Sequence, residues 1–466
     1  MSVESGLCDA TGPMPTGAPA VIADICSDSA GAISRLRRQY GPMVAYRKGD
    51  ELTVFAIGPE ANYDVFSRPD IFQIGGGPPG PRGSSQRKFQ QGLFGLNGTQ
   101  HQDHRRLLLP ALSKEAVQAQ AGDMAERVGR FLDGWRPGQT IDLAAAMKDL
   151  SLSLTGKLLF GLDEVPGARD IAATFQEWLD HFISCQFEMT LPVQGLPDSY
   201  GRTMAAAQEM EAHFRRLIAV RQAELRAEDG DLLALLLKAR RDGRIGDAEL
   251  IGEMHTLLNA SFQTTASALT WTLLLLATHP DVMAALHEEL TAAPGAEGGG
   301  LLDRVIKESL RILPPVVFTS RRVTQPATLA GRLLPPGAVV VVSFYDSHHL
   351  PEVFPEPERF WPERWVGANV SPYAYLPFAA GPRMCLGAAF SLRLFQVVIP
   401  AILRRYRLAV RPGARVDRQS SLTLGVRGRL PAVVLAQDGR FQAASLTGNF
   451  HEMVHVPQAE PLRRAA

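Results

Sequence analysis

The stretch Phe378-Ala-Ala-Gly381-Pro-Arg383-Met-Cys385-Leu-Gly387 decides how the rest of the chain is read. It sets one cysteine in a glycine-bracketed loop directly before an apolar run, 388–403, that has a helical pattern. Gly381 and Gly387 are expected to permit a tight backbone turn that a Cβ would obstruct. A thiolate is favoured where backbone N–H groups and a helix N-terminus point at it. Phe378 can shield the sulfur from water, and Arg383 offers a fork of donors to an acidic group. Such a cysteine suits a soft metal cation, and the competing reading is a small cysteine buried in the core.

A lone thiolate axial ligand on haem iron is one known use of such a loop. Every fixed position of the stretch resembles the FxxGxRxCxG signature of the cytochrome P450 family. The resemblance implies a mainly α fold with small β-sheets, a long central helix crossing the haem, and Cys385 as axial ligand of the iron in haem b (iron protoporphyrin IX).

The chain has 466 residues, with 48 Lys+Arg against 48 Asp+Glu and hence no net charge. A global basic or acidic field that would recruit nucleic acid or an anionic membrane is therefore excluded. Cys8, Cys26, Cys185 and Cys385 are scattered, with no CxxC or Cys/His cluster, which argues against a disulfide framework or a zinc site and for a reducing compartment. No N-terminal apolar run approaches membrane-spanning length. A soluble, cytoplasmic, monomeric protein without a membrane anchor is expected.

Residues 1–20 are rich in Gly, Pro and Ser and are expected to be flexible. A single P450 domain is expected over 21–436, followed by a C-terminal tail, 437–466, with no assigned role. Within the domain, 32–40 reads as a helix, and 43–47 and 52–57 as strands joined at Gly49-Asp50. Gly and Pro deny regular structure to 74–83. From 113 to 290 the pattern is mainly helical, broken at Pro137-Gly138, Pro166-Gly167 and Gly195 to Pro197. Strands are expected over 323–329 and 338–344, and a hairpin from 422–426 and 430–435.

Asp247 is expected to cap a helix that His279-Pro280 ends, about 31 residues and roughly 46 Å long. Its middle, Asn259-Ala-Ser-Phe-Gln-Thr-Thr265, is polar for a buried helix. Ala260 and Thr264 share a face, leaving room for a ligand beside a proton donor. The competing reading is a core helix whose hydroxyls bond back to i−4 carbonyls. The family's (A/G)GxxT, usually with an acid before the threonine, falls on Ala260, Ser261, Gln263 and Thr264. By resemblance, Thr264 hydrogen-bonds bound dioxygen or its water. Gln263 stands where the acid usually stands, and three consequences compete. It orders water while another route supplies protons, helped by the Ser261 hydroxyl; it contacts substrate; or the enzyme prefers peroxide.

Glu308 and Arg311 form an ExxR pair that Pro314-Pro315 follows, with apolar neighbours that suit burial. The family completes this structural ion-pair network with an arginine from a PERF-like segment, here Arg364 of Pro362-Glu-Arg-Trp365, with Pro357-Glu-Arg-Phe360 as second choice. Gly98-Thr-Gln-His101-Gln-Asp-His-Arg105-Arg106 resembles GxxHxxxRR, which makes His101 and Arg105 partners of the haem carboxylates, with Arg321 and Arg383 completing the clamp beside Phe378 and Gly387. Alignment with the family lines the substrate pocket with Phe94, Phe182, Val317, Phe318 and Thr423.

The resemblance thus implies a bacterial-type haem-thiolate monooxygenase. It would insert one oxygen atom of O2 into a lipophilic small molecule, by hydroxylation or epoxidation, as secondary metabolism requires. Fatty acids, terpenoids and polyketides all suit such a pocket. The chain has no flavin motif and no cysteine set for an iron–sulfur cluster, so electrons are expected from a ferredoxin or flavodoxin with its reductase. The alternatives are a peroxide-driven peroxygenase or peroxide-rearranging enzyme, and, last, a non-catalytic haem-binding protein.

Overall fold

A computed structural model describes residues 24–48, 50–75, 77–162, 165–188, 196–292, 300–411 and 413–457. The flexible segment expected at 1–20, Gly49 of the expected turn, and Gly195 of an expected helix break lie outside the described residues.

Asp28 accepts a hydrogen bond from the Gly31 N–H at 3.2 Å and so caps α1 (Ser29–Tyr40). The chain continues through β1 (Met43–Lys48), β2 (Glu51–Ala56), α2 (Pro59–Ser67) and β3 (Phe72–Gln73). The glycine-rich 74–83 is irregular wherever it is described. Next come α3 (Ser85–Phe89), α4 (Gly98–Leu112), α5 (Lys114–Ala119), α6 (Ala121–Asp133), β4 (Thr140–Asp142) and α7 (Leu143–Phe160). The helical body is completed by α8 (Ala168–Glu188), α9 (Asp198–Glu224), α10 (Leu232–Arg241), α11 (Asp247–Thr278), α12 (Pro280–Ala292) and α13 (Leu301–Ile312). After it come β5 (Phe318–Val323), β6 (Ala327–Leu329), β7 (Arg332–Leu334), β8 (Val339–Ser343) and α14 (Phe344–His348). The last elements are α15 (Ala388–Arg405), β9 (Tyr406–Val410), β10 (Ala414–Arg415), β11 (Arg418–Ser420), β12 (Leu424–Val426), β13 (Pro431–Ala436) and β14 (Leu446–Thr447).

The main sheet has the order β1-β2-β8-β5-β3, with β2 and β8 parallel and the other pairs antiparallel. Side chains alternate between its two faces. Val54, Ala56, Val340 and Val342 pack into one apolar cluster, while Phe55 and Val341 pack into another. The remaining core is a single large cluster built around α11.

Three expectations need correction. The strand placed at 323–329 is divided: β5 closes at Val323 and β6 begins at Ala327, after Pro326, which has no N–H to donate to a ladder. The chain then makes the β6–β7 hairpin over Ala330 and Gly331, both at positive φ (44° and 77°). The hairpin expected between 422–426 and 430–435 does not form. β12 pairs with β11, and β13 lies between β4 and β9 in a different sheet. Two apolar runs around a polar turn fix neither partner, since any edge of matching length can pair with them. Lastly, the capping residue of α11 is Gly246, whose N–H donates to Glu249 at 2.6 Å, while Asp247 receives Arg215 of α9 at 2.8 Å.

The described part of the tail is packed against the domain. Phe450 is wholly buried and stacks on Trp271 of α11 at 5.8 Å, and Met453 and Val454 are also buried. The boundary expected at residue 436 is therefore not a boundary of packing.

Candidate active site

The Cys385 loop closes on itself. The Cys385 N–H donates to the Phe378 carbonyl at 2.8 Å, and the Met384 N–H donates to Gly381 at 3.0 Å. Gly381 has φ +66°, and a Cβ there would lie 2.3 Å from the Phe66 carbonyl oxygen, so only glycine fits. Gly387 departs from expectation. Its φ is −87° and a Cβ would meet nothing within 4 Å, so its backbone is open to any residue. Its contribution is positional, as the N-cap residue of α15 with its N–H aimed at the Cys385 sulfur. Burial nevertheless raises the Cys385 thiol above its ordinary pKa, with the Gly387 N–H and the Arg105 charge opposing that shift. A sulfur set deep in the fold that keeps accessible surface lies at the floor of a cavity.

A second opening lies in α11. This helix is buried over most of its length, yet Ala260 is exposed and Asn259, Ser261 and Thr264 are partly so. A core helix that opens in its middle borders an internal space. The Thr264 hydroxyl donates to the Ala260 carbonyl at 2.6 Å, and Ser261 bonds back to Leu257 at 2.7 Å. Ser261 is thus tied to the helix backbone in the same way as Thr264. Gln263 does not stand beside the Thr264 hydroxyl. Its amide donates to Gln176 of α8 at 2.7 Å and accepts from Thr423 at 3.3 Å.

The cations at the edge of the cavity have no counter-charge. Arg105 donates to the Met384 carbonyl at 2.8 Å. Arg321 donates to Thr319 and the Ser320 carbonyl, each at 2.7 Å. Arg383 reaches Asn97 at 2.8 Å and the Leu96 carbonyl. Among the described residues, none of the three meets a carboxylate. Burial, then Arg383, brings Arg321 down to about 10, and burial, then Arg105, does the same for Arg383. His101, buried beside them, is held down to about 4 by burial and by the charges of Arg383 and Arg105. A buried charge requires a partner. Three arginines and a neutral imidazole without an acid make a receptor for a dianionic edge, and the two carboxylates of haem fit that requirement.

The ion-pair residues meet away from this cavity. Glu308 accepts Arg311 at 3.0 and 2.9 Å, Arg364 at 2.9 Å and the Trp365 indole N–H at 3.0 Å. Arg359, from the alternative segment, points its guanidinium to Glu356 at 3.1 Å.

Of the expected pocket residues, Phe94 is 49% exposed and sits in the loop whose carbonyls Arg383 grips. Phe182 stacks on Trp178 at 4.8 Å and leaves no room for a Cβ on Gly77. Phe318 is half-buried, but Val317 is wholly buried in the helical core and lines nothing. Along an extended segment, Val316 and Phe318 take one side and Val317 the other. Alignment with the family also assigns the segment 182–196 to the pocket, and its residues 189–195 lie outside the described residues. One buried cluster escaped sequence reasoning: His104 lies 2.7 Å from Glu253 and 3.3 Å from Glu249, joining α4 to α11. Its only sequence signal is a pair of acids spaced i, i+4 on one helix face.

The family model for cytochrome P450 matches residues 27–434. The chain is a cytochrome P450. Cyclooctatin synthase of Streptomyces melanosporofaciens is 29% identical over 413 residues, 84% of this chain and 89% of that protein. Cyclooctat-9-en-7-ol 5-monooxygenase of the same organism is 30% identical, covering 80% of this chain and 84% of that one. Putative cytochrome P450 135B1 of Mycobacterium tuberculosis is 30% identical, covering 86% and 84%. CYP175A1 from Thermus thermophilus superposes with a TM-score of 0.71 at 26% identity, over 89% of this chain and 97% of that one. The retinoic acid-bound cyanobacterial CYP120A1 shares the fold, with a TM-score of 0.74 at 24% identity over 86% and 93%. This P450 is therefore a haem-dependent oxidoreductase of bacterial type, and its family implies O2, a redox partner and a lipophilic substrate. Among the described residues, no single helix is long and apolar enough to cross a membrane.

Proposed function

We propose that this P450 is an O2-dependent monooxygenase that hydroxylates or epoxidises a lipophilic small molecule in secondary metabolism. The observation that carries the proposal is the pairing of the Cys385 floor with an acid-free cluster of His101, Arg105, Arg321 and Arg383 at the cavity edge. Haem b, when held by Cys385, supplies the oxygen-activating chemistry. Arg105, Arg321 and Arg383 bind its carboxylates, with neutral His101 as a further donor. Thr264 holds a proton on its hydroxyl in the middle of α11, one turn from exposed Ala260, and can turn it from the Ala260 carbonyl into the cavity. Glu308, Arg311 and Arg364 serve the fold. Ala260 leaves space beside Thr264, and Phe94, Phe182 and Phe318 offer apolar surface to the substrate.

A cyclic aliphatic compound of terpenoid type is the favoured substrate class, because the name of one relative specifies a monooxygenase of cyclooctat-9-en-7-ol. Electrons come from a separate ferredoxin or flavodoxin with its reductase, and the protein works as a cytoplasmic monomer. Two measurements test the proposal. The reduced, CO-bound protein should show the red-shifted Soret band of thiolate-ligated haem, and a histidine-type spectrum in undenatured protein overturns it. Thr264→Ala should divert reductant from product to hydrogen peroxide. Unchanged coupling, with peroxide outpacing the redox chain, would replace the monooxygenase by a peroxygenase.

A further inference from the structure

A chain of side chains runs from the surface of α8 to the turn between β11 and β12. Gln176 Nε2 donates to Asp180 Oδ1 at 2.9 Å, and Gln263 Nε2 donates to Gln176 Oε1 at 2.7 Å. The Thr423 hydroxyl donates to Gln263 Oε1 at 3.3 Å. These four residues, with Ser267, border a crevice of about 390 Å³ between α7, α8, α11 and that turn. Thr423 is also bridged to Val316, two residues before Phe318, and Gln263 precedes Thr264 in α11, so the inner end of the chain adjoins two residues of the proposed substrate site.

The direction of the chain is not a free choice. A carboxylate can only accept, so Gln176 must present its NH2 to Asp180 and its oxygen to Gln263. Gln263 must then present its NH2 to Gln176, which leaves its oxygen for Thr423. The hydroxyl of Thr423 must donate to that oxygen, and its one proton is spent. What Thr423 Oγ1 offers the crevice is lone pairs alone. Bonds aligned head to tail polarise one another, and the negative charge at the outer end strengthens the acceptor at the inner one. Amides do not titrate, so the chain is not a path for protons.

We infer that Thr423 is a specificity-determining residue that accepts a hydrogen bond from a hydroxyl of the substrate, selecting a lipophilic alcohol over the matching ether, ketone or hydrocarbon. Gln263, Gln176 and Asp180 act through Thr423 as positioning residues. The inference rests on the monooxygenase reading for its reaction, but its test is binding.

Calorimetric titration of the full-length, haem-loaded protein with cyclododecanol and with cedrol, each beside its methyl ether, and with cyclododecanone, makes that test. The alcohols should bind about tenfold more tightly than the ethers and the ketone, the worth of one neutral hydrogen bond. Thr423→Val, of the same shape, should shrink the gap to within about twofold, and Thr423→Ser should keep it. Asp180→Asn supplies a donor at the outer end and lets the chain run backwards, so the ketone should gain on the alcohol. A merely structural chain would weaken all ligands alike. Equal binding of alcohol and ether, failure of both alcohols to bind, or a gap unchanged in Thr423→Val or Asp180→Asn overturns the inference. Product formation from whichever compound binds is scored separately: selective binding without product defeats the monooxygenase reading and leaves donor recognition standing.

Discussion

Glu308 has no exposed surface, and both of its oxygens are filled by Arg311, Arg364, Trp365 and the Trp361 N–H. Arg311, equally buried, also donates to the His348 and Pro357 carbonyls at 2.9 and 2.8 Å. Removing the carboxylate strands two guanidinium groups in a dry interior, a loss of about 3–5 kcal/mol. Glu308→Ala should therefore lower the urea midpoint sharply and lose haem during purification. A mutant of native midpoint and full haem content that is merely inactive would assign Glu308 to catalysis instead. At this scale the sequence shows which residue replaces which, but not where it points. Gln263 in the place of an acid was legible; that its amide turns to Gln176 and Thr423 rather than to Thr264 depends on residues far from it in sequence.

The first helix is held to the end of the chain by a charged clasp. Asp28 receives Arg418 of β11 at 2.9 and 2.7 Å and Ser420 at 2.7 Å, and Arg418 also reaches Glu452 at 2.8 Å. Burial works to raise the Asp28 carboxyl, but Arg418 and Ser420 outweigh it and bring it down to about 2. The unfolded chain, with an ordinary carboxyl near 4, takes up this proton first as the pH falls. The clasp therefore stabilises fully above about pH 4 and is lost as the pH falls through about 2. Asp28→Asn should be less stable than the parent at pH 5 in urea unfolding, and the difference should close progressively towards pH 2.5. A difference that stays constant over that range would show that the clasp acts by shape rather than charge. Elements with a local signature, such as α11 and α15, were readable as elements. The partners of β12 and β13 were not, because strand pairing is settled between segments that the pattern of either one does not mention.

Over the whole molecule the charges cancel, so any attraction for a redox partner must come from a local patch. Arg106 is 71% exposed with a single surface partner, Asp103, at 3.0 Å, and it adjoins Arg105 and the exposed Met384 on the side of the cysteine loop. Arg405 of α15 is engaged with Asp133 at 2.9 Å and Arg404 with the Leu290 carbonyl at 3.4 Å, which leaves little free charge at that end of the helix. If an acidic ferredoxin docks on this face, stopped-flow reduction should slow as ionic strength rises, since exposed charges are screened over about 8 Å at physiological salt. Arg106→Gln should weaken that dependence. A rate indifferent to salt would leave docking to apolar contact alone.

The sequence by itself determined the family through the cysteine loop, and resemblance to that family pointed to the ion-pair residues and the cationic residues. The cysteine loop, the ExxR pair and the segment 98–106 are short-range patterns in which residue type and spacing carry the chemistry. Only the tertiary structure decided that Gly387 needs no glycine backbone, that Val317 turns into the core, that the tail to residue 457 packs on α11, and that Arg105, Arg321 and Arg383 come together with no carboxylate on them among the described residues. It also set the direction of the hydrogen-bond chain from Asp180 to Thr423. Those outcomes depend on which distant segments meet, and an unmatched charge or a spent proton exists only once they do.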